Sequence, residues 1–337
     1  MFTKKIVAGA ALLALAAAAQ AQVKVYGSLD LSVGSYKASG GKSTTQVSSG
    51  NMMTSFIGFS GSEDLGGGLK AEFALESFIA PDTGSASSVY NMAGGFWGRG
   101  SFVALTGGFG KVALGQYDNA IFTNGYTYNP FGSSMMFSPT MRHYYALGLG
   151  NANSGNALAF DTGWVNSITY ESPVFSGFQA TAQFSPKESG TSNSTTVGLS
   201  YNAGALSAAL AYADAGNGSP ASAYLAEQQI TALGVSYDFG VLKAFGQYTK
   251  VDNSDNGAAD EDLYQLGVSV PVTEKGSVLA SWGQDKVKNN GGKDTIFSLG
   301  YDHFISKRTD VYAVISNEKA TGLKSANTFA VGIKHAF

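Results

Sequence analysis

The chain has 337 residues, with 21 basic and 24 acidic side chains and no cysteine. Without cysteine there is neither a disulfide framework nor a thiolate metal site, and the mildly acidic balance argues against a nucleic-acid partner, which needs a basic patch. Glycine, at 44 residues, is nearly twice its usual share of ~7%, yet only 7 prolines accompany it, which excludes a collagen repeat and a proline-rich linker.

Residues 1–21 read as a secretory signal peptide. Lys4 and Lys5 form a positive start, Ile6 to Ala19 is apolar, and Ala19 and Ala21 supply the small residues a signal peptidase reads. That apolar run is shorter than the ~20 residues a membrane-spanning helix needs. Cleavage before Gln22 removes two lysines, leaving 19 basic and 24 acidic side chains, a formal charge of −5. No later apolar run approaches the roughly 18 residues of a helical span.

The mature chain opens with Val23–Val33, where odd positions are apolar or glycine and even positions are Lys, Tyr, Ser, Asp and Ser. Such period-two alternation is a strand with one apolar face. A polar loop is expected over 37–53. The stretch Ser55–Glu76 then reads as two strands around a glycine turn: Ile57 and Phe59, then Leu69, Ala71, Phe73 and Leu75, share apolar parities, while Lys70, Glu72 and Glu76 take the opposite face. A loop over 80–97 leads to strands at 99–106 and 111–116, joined by the glycine turn Gly107–Gly110. The longest connection follows, 117–162. Eleven more strands are expected near 163–172, 177–185, 195–202, 205–213, 227–237, 241–250, 262–270, 276–286, 294–302, 307–316 and 327–337.

Short turns and longer polar loops alternate along this series, the pattern of a meander with all turns at one rim and all loops at the other. An apolar sheet face of this kind can sit in lipid only if the backbone is fully paired, which a closed barrel achieves. The expected architecture is therefore all-β: a transmembrane antiparallel up-and-down β-barrel of sixteen strands, with fourteen or eighteen as the alternative counts, one domain over residues 22–337. Roughly 20 residues per strand fit a ~10-residue span plus a connection. Bacterial outer-membrane barrels carry short periplasmic turns and long outer loops, which puts both termini on the periplasmic side. The last strand alternates Phe329, Val331, Ile333, His335 and Phe337 on one parity. A terminal aromatic on such a strand resembles the signature that the barrel assembly machinery reads.

With these elements placed, the residues resemble the trimeric Gram-negative porins of the Neisseria and Burkholderia type. The segment Phe56 to Glu76 (Phe-Ile-Gly-Phe-Ser-Gly-Ser-Glu-Asp-Leu-Gly-Gly-Gly-Leu-Lys-Ala-Glu-Phe-Ala-Leu-Glu) is similar to that family's most recognisable motif. Val23–Gly27, Phe96–Arg99 leading into Phe102–Leu105, Gly110–Gly115, Asn166–Pro173, Ser306–Tyr312 and Val331–Phe337 match further motifs, in the family's order. The resemblance implies a sixteen-stranded barrel, a homotrimer, and a water-filled pore passing small hydrophilic solutes and ions. It also implies that the third loop, here 117–162, folds into the barrel and narrows it.

Selectivity in such a pore is set by charges at the constriction. The loop offers Asp118, Arg142 and Asp161, with His143 and several tyrosines. On the wall, Arg99 matches the arginine of the family's motif, and parity adds Lys70, Glu72 and Glu76. Phe56 and Ser60 stand where the family pattern has Arg and Lys, and Gln116 where it usually has Arg. Parity puts Phe56 and Ser60 on the lumen face, so the expected channel is less anion-selective than its relatives, neutral or cation-preferring, or tuned to an uncharged or aromatic solute near Phe56. No catalytic residue, cofactor or metal is expected. The three histidines, His143, His303 and His335, are dispersed over loop, turn and terminal strand, and Gly40–Thr44 has a Walker-like tail without the first glycine. The alternative to a general pore is a substrate-specific outer-membrane channel with a saturable solute site. Expected partners are outer-membrane lipid and lipopolysaccharide, the barrel assembly machinery through Phe337, and the permeating solutes.

Overall fold

The computed structural model describes residues 23–86, 95–146, 158, 162–188, 192–216, 227–289 and 292–337. The signal peptide and Asp161 lie outside the described residues. Seventeen strands are present: β1 Lys24–Lys37, β2 Ser43–Ser49, β3 Phe56–Gly66, β4 Leu69–Phe78, β5 Gly100–Gly107, β6 Gly110–Gln116, β7 Ser167–Glu171, β8 Phe178–Ser185 and β9 Ser194–Ala203. They continue as β10 Leu206–Ala215, β11 Gln228–Asp238, β12 Lys243–Asp252, β13 Glu261–Pro271, β14 Gly276–Val287, β15 Lys293–Phe304, β16 Thr309–Ala320 and β17 Ala326–Ala336. Two helices, α1 Ala120–Thr127 and α2 Pro139–Tyr144, lie in the connection between β6 and β7.

Apart from β2 and β3, which both pair with β1, every strand pairs antiparallel with its chain neighbour, and β1 pairs with β17 from Ser28↔Ala336 to Lys37↔Asn327. The sheet is thereby closed. β2 and β3 share one stave: Ser43–Ser49 lies against Lys37–Leu31, and Phe56–Ser60 against Ser28–Lys24 of the same β1. Seventeen strands thus make the sixteen staves expected from the sequence. The stave breaks at 50–55 around Asp30, whose carboxylate accepts the backbone N–H of Met52 and Met53 at 2.6 and 3.0 Å and the Tyr312 hydroxyl at 2.7 Å. The expected loop over 37–53 is corrected here. Its Ser/Thr-rich stretch forms β2, because polar β-formers can extend a stave above the membrane band as easily as end it.

The alternation of side chains fixes the two faces. On β11, Leu233, Val235 and Tyr237 are exposed, while Gln228, Ile230, Ala232 and Ser236 are buried. β17 repeats this, with Phe329, Val331 and Ile333 outward and Thr328 and Ala330 inward. Exposed aromatics fall at two levels, Phe109, Phe175, Tyr237 and Tyr301 near the short turns and Tyr212, Tyr264, Trp282 and Phe297 near the loops. Paired aromatic girdles bounding an apolar band are what a barrel in lipid presents. Both ends of the described chain meet at the short-turn rim, where Phe337 and Gly27 exchange backbone hydrogen bonds at 3.1 and 3.3 Å.

Loop lengths depart from expectation in the last third. β14 and β15 are joined by 288–292, and β16 and β17 by 321–325, connections as short as those of the opposite rim. Here the polar residues read as loops continue the strands, so these staves run to 12 residues, beyond the ~9–11 needed to cross.

Candidate functional site

The connection after β6 is held against the inner wall from both of its helices. Asn119 caps α1, its side chain accepting the N–H of Phe122 at 2.8 Å, and Ser138 caps α2 with Pro139 following it. α1 packs on β9, β10 and β11, and α2 on β13, β14 and β15. The Asn124 amide donates to the carbonyls of Ala209 and Ala232, and Gln247 donates to Gly125 O at 3.0 Å. Thr140 gives both its backbone N–H and its hydroxyl to Gln265 Oε1, at 2.8 and 2.6 Å, and Tyr144 meets Thr249 at 2.7 Å.

The wall beneath is unlike the rest of the lumen. Ala211, Ala213, Ile230, Ala232, Val251 and Leu263 point inward and pack with Ile121, Phe122, Met141, Tyr144 and Trp164. Successive inward glycines, Gly198, Gly234, Gly267, Gly283 and Gly300, lie under Ala120, Tyr128, Pro130, Pro139 and Phe131. A side chain at Gly198 would bring its Cβ to 2.6 Å from that of Ala120. Small residues let the loop lie flat, and apolar ones exclude water from beneath it.

Arg142 belongs to this buried side. Its Nη2 donates to Glu318 Oε2 at 2.5 Å, with side chains 2% and 4% exposed, so it faces the wall and not the open lumen. His143 beside it has Nε2 3.9 Å from Asp294 Oδ2. Burial, and then the neighbouring Arg142, push the His143 imidazole down to about 3, so it is neutral at physiological pH.

The other side of the loop bounds a cavity of about 600 Å³ whose far wall is β4 to β10. Arg99, just ahead of β5, pairs with Glu76 of β4, and its guanidinium stacks 3.8 Å over the ring of Phe56. Tyr26 packs edge-on against that ring and donates to Glu76 Oε1 at 2.5 Å. Asp118 lines the same cavity with Tyr126, Tyr117 and Glu171, the Tyr117 hydroxyl donating to Glu171 at 3.0 Å. Burial raises the Asp118 carboxyl to about 6; the nearby Arg99 opposes the shift and Glu171 adds to it. Burial, and then Glu171, raise the Tyr117 hydroxyl, which stays protonated.

Further toward the short turns, Lys111 bridges to Glu72 at 3.0 Å and Thr106 donates to the same carboxylate. Lys70 shares their inward parity. Ser60, opposite Ala74 and Lys24, borders a second cavity with Lys24 and Glu72. Gln116 is buried and donates to Gly98 O at 2.7 Å. The structure thus brings Phe56, Glu76, Arg99 and Asp118 together, sets Ser60, Lys70 and Glu72 below them, and separates Arg142 from both groups. Reading the sequence missed Tyr26, Lys111, Tyr117 and Glu171. Parity marks Tyr26, Lys111 and Glu171 as inward, but only their cross-strand neighbours show which inward residues meet.

Around these cavities four bases, Lys24, Lys70, Arg99 and Lys111, face four acids, Glu72, Glu76, Asp118 and Glu171. In the upper cavity the ratio is three acids to Arg99. Among the described residues no group of three or more His, Asp or Glu is arranged to hold a metal ion.

A closed barrel with an apolar exterior, a charged interior and a long loop pinned to its inner wall is an outer-membrane channel. The chain belongs to the Gram-negative porin family, whose profile matches residues 8–323. It is 33% identical to outer membrane porin protein 32 of Delftia acidovorans, over 99% of each chain, and 27% identical to major outer membrane protein P.IB of Neisseria lactamica, over 99% of this chain and 100% of that one. Among solved structures it is similar to an anion-selective porin from Comamonas acidovorans, at 30% identity and a TM-score of 0.79, over 94% of this chain and 100% of the other. It is accordingly a porin of the outer membrane, a passive channel and not an enzyme.

Proposed function

We propose that this porin is a general diffusion channel whose narrowest part lies between the loop of residues 117–162 and the wall around Glu76 and Arg99, and that it prefers cations weakly over anions. One observation carries the reading: in the upper cavity Glu76, Asp118 and Glu171 face a single base, Arg99, which is already paired with Glu76. The Comamonas relative is described as anion-selective. In this chain, two inward wall positions where the family pattern has cations are Phe56 and Ser60, and Phe56 serves as the platform beneath Arg99. The reading of a saturable site for a specific solute has less support, because the Phe56 ring is 7% exposed and covered on both sides. Reversal potentials across a planar bilayer under a salt gradient test the proposal. A modest cation preference is expected, and a strong chloride preference would refute it.

The assembly reading extends this. Exposed apolar residues on the outward faces of β1 to β6 support packing of three copies into a homotrimer, checked by the size of the SDS-resistant oligomer. The outward ring of Phe337 at the β1–β17 seam supports a role as the handle for the barrel assembly machinery. The aromatic girdle near the loops supports contact with lipopolysaccharide in the outer leaflet.

A further inference from the structure

Beyond the outward aromatic ring at the loop rim, three neighbouring strands carry lysines that form no ion pair among the described residues. The register sets Trp282 of β14 opposite Phe297 of β15, Gln284 opposite Thr295, and Lys286 opposite Lys293. On the next strand Lys319 faces Thr295 and is diagonal to Lys293. Gln284 donates to Thr295 at 3.0 Å. With a rise of ~6.6 Å for every two residues, an aromatic pair, a polar pair and a cationic pair follow one another over roughly 13 Å of outward wall.

All three lysines are exposed. Among the described residues none has a carboxylate within ion-pair distance, although Lys288 and Lys250 nearby are paired with Asp262 and Asp252. Lys319 donates to the Leu323 carbonyl. The acids of the same strands, Asp285, Asp294 and Glu318, have the opposite parity and point inward; on the neighbouring β13 Asp262 stands opposite Lys286, but its carboxylate pairs with Lys288 and accepts the Tyr248 hydroxyl. Like charges directly opposite each other across two strands destabilise the pair, so Lys286 and Lys293 lower each other's stability until an anion lies between them. Their position decides which anion. The aromatic pair below them sits at the edge of the apolar band, and a lysine beyond it reaches the level of lipid head groups.

We propose that this strip binds the phosphate-bearing head group of an outer-leaflet glycolipid, a lipid phosphate bridging Lys286 and Lys293 with Lys319 beside it and an acyl chain lying on Trp282 and Phe297. The proposal rests on the loop rim facing the lipopolysaccharide leaflet, and it adds which residues hold that lipid. A soluble anion would use the lysines but not the aromatic pair, and a second copy of the chain would have to bring an acidic strip.

The test uses the full mature protein, refolded free of lipid in detergent and titrated with diphosphoryl lipid A while native mass spectrometry counts bound lipid. Wild type is expected to bind it, to bind dephosphorylated lipid A far more weakly, and to keep it when inorganic phosphate is added at equal concentration. The triple variant Lys286→Gln/Lys293→Gln/Lys319→Gln should bind roughly a hundredfold more weakly, from about a factor of five per lysine at an anionic lipid surface. Lys293→Gln alone should lose about fivefold, which keeps the test informative if the triple variant folds poorly. The pair Lys275→Gln/Lys307→Gln, at the opposite rim, should bind as wild type does. If wild type binds no phosphorylated lipid, the lipid reading itself fails. If wild type binds and the triple variant binds equally, the lipid reading stands and the assignment to this strip is overturned. Displacement by inorganic phosphate, or a changed oligomer size in place of lost lipid, overturns it as well.

Discussion

Replacing Asp118 by asparagine tests the cation preference on the loop side of the upper cavity. Asp118 shares the upper cavity with Glu171, Tyr117, Tyr126 and Arg99, and its neutral isostere keeps the shape of that wall while removing one charge. An ion passing ~6 Å from a carboxylate in a water-like medium gains about 0.7 kcal/mol. That enriches cations about threefold and depletes anions about threefold, so Asp118→Asn should lower the cation-to-anion permeability ratio by about threefold to tenfold. The ion lies within the Debye length of ~10 Å at 0.1 M salt, so the effect survives in dilute KCl gradients. The carboxyl is pushed up to about 6, so at pH 7.5 it is charged and at pH 5 mostly neutral. Wild-type cation preference should therefore fall as the pH drops through about 6, and the variant should start low and show no step there. Reversal potentials at both pH values measure this. An unchanged reversal potential at pH 7.5, or a step that persists in the variant, would show that Asp118 does not face the permeating ions.

The loop anchors give two further expectations. Arg142→Met leaves Glu318 buried without its guanidinium partner, and breaking a buried ion pair costs about 3–5 kcal/mol. The variant should lose its heat resistance on SDS gels and show noisier single-channel current, with Arg142→Met/Glu318→Leu recovering most of the loss; wild-type behaviour from the single variant would mean the pair does not hold the loop. At Gly234 a Cβ would overlap the Tyr128 ring and come within 2.5 Å of Asn124 Oδ1. Gly234→Val should therefore push α1 into the lumen and reduce conductance, at about 1–3 kcal/mol of overpacking. Gly246→Val, where the nearest contact is 3.6 Å, should not; equal conductance for the two variants would contradict the packing of α1 on this wall.

The barrel was legible because its evidence is local. Alternation in Leu69–Phe78 or Ala326–Ala336 assigns each side chain to a face without knowledge of any other strand, and the inward parity of Phe56, Ser60, Lys70, Glu72 and Glu76 follows from it. Two signals in the same strings passed unread. Alanine at the inward positions 209, 211, 213 and 215 of β10, and glycine at 234, 267, 283 and 300, are poor lumen residues but good seats for a loop. Lysines at 293 and 319 continue the alternation past the expected strand ends, as Lys286 does at the last residue of its expected strand, so they belong to long staves and not to loops.

By itself the sequence determined the class of fold, the face each strand residue takes and the family, because a period of two and short motifs in the family's order are properties of the chain taken a few residues at a time. Only the tertiary structure decided which charges meet. Glu76 and Arg99 lie on opposite sides of a connection, and Arg142 and Glu318 are 176 residues apart. Whether a charged side chain lines water or pins a loop depends on what covers it, and that is set by closure of the sheet and the path of the loop across it. Hence Arg142 and Asp118, neighbours in one segment and alike as charged loop residues, end on opposite sides of it: one sealed against the wall, the other at the edge of the pore.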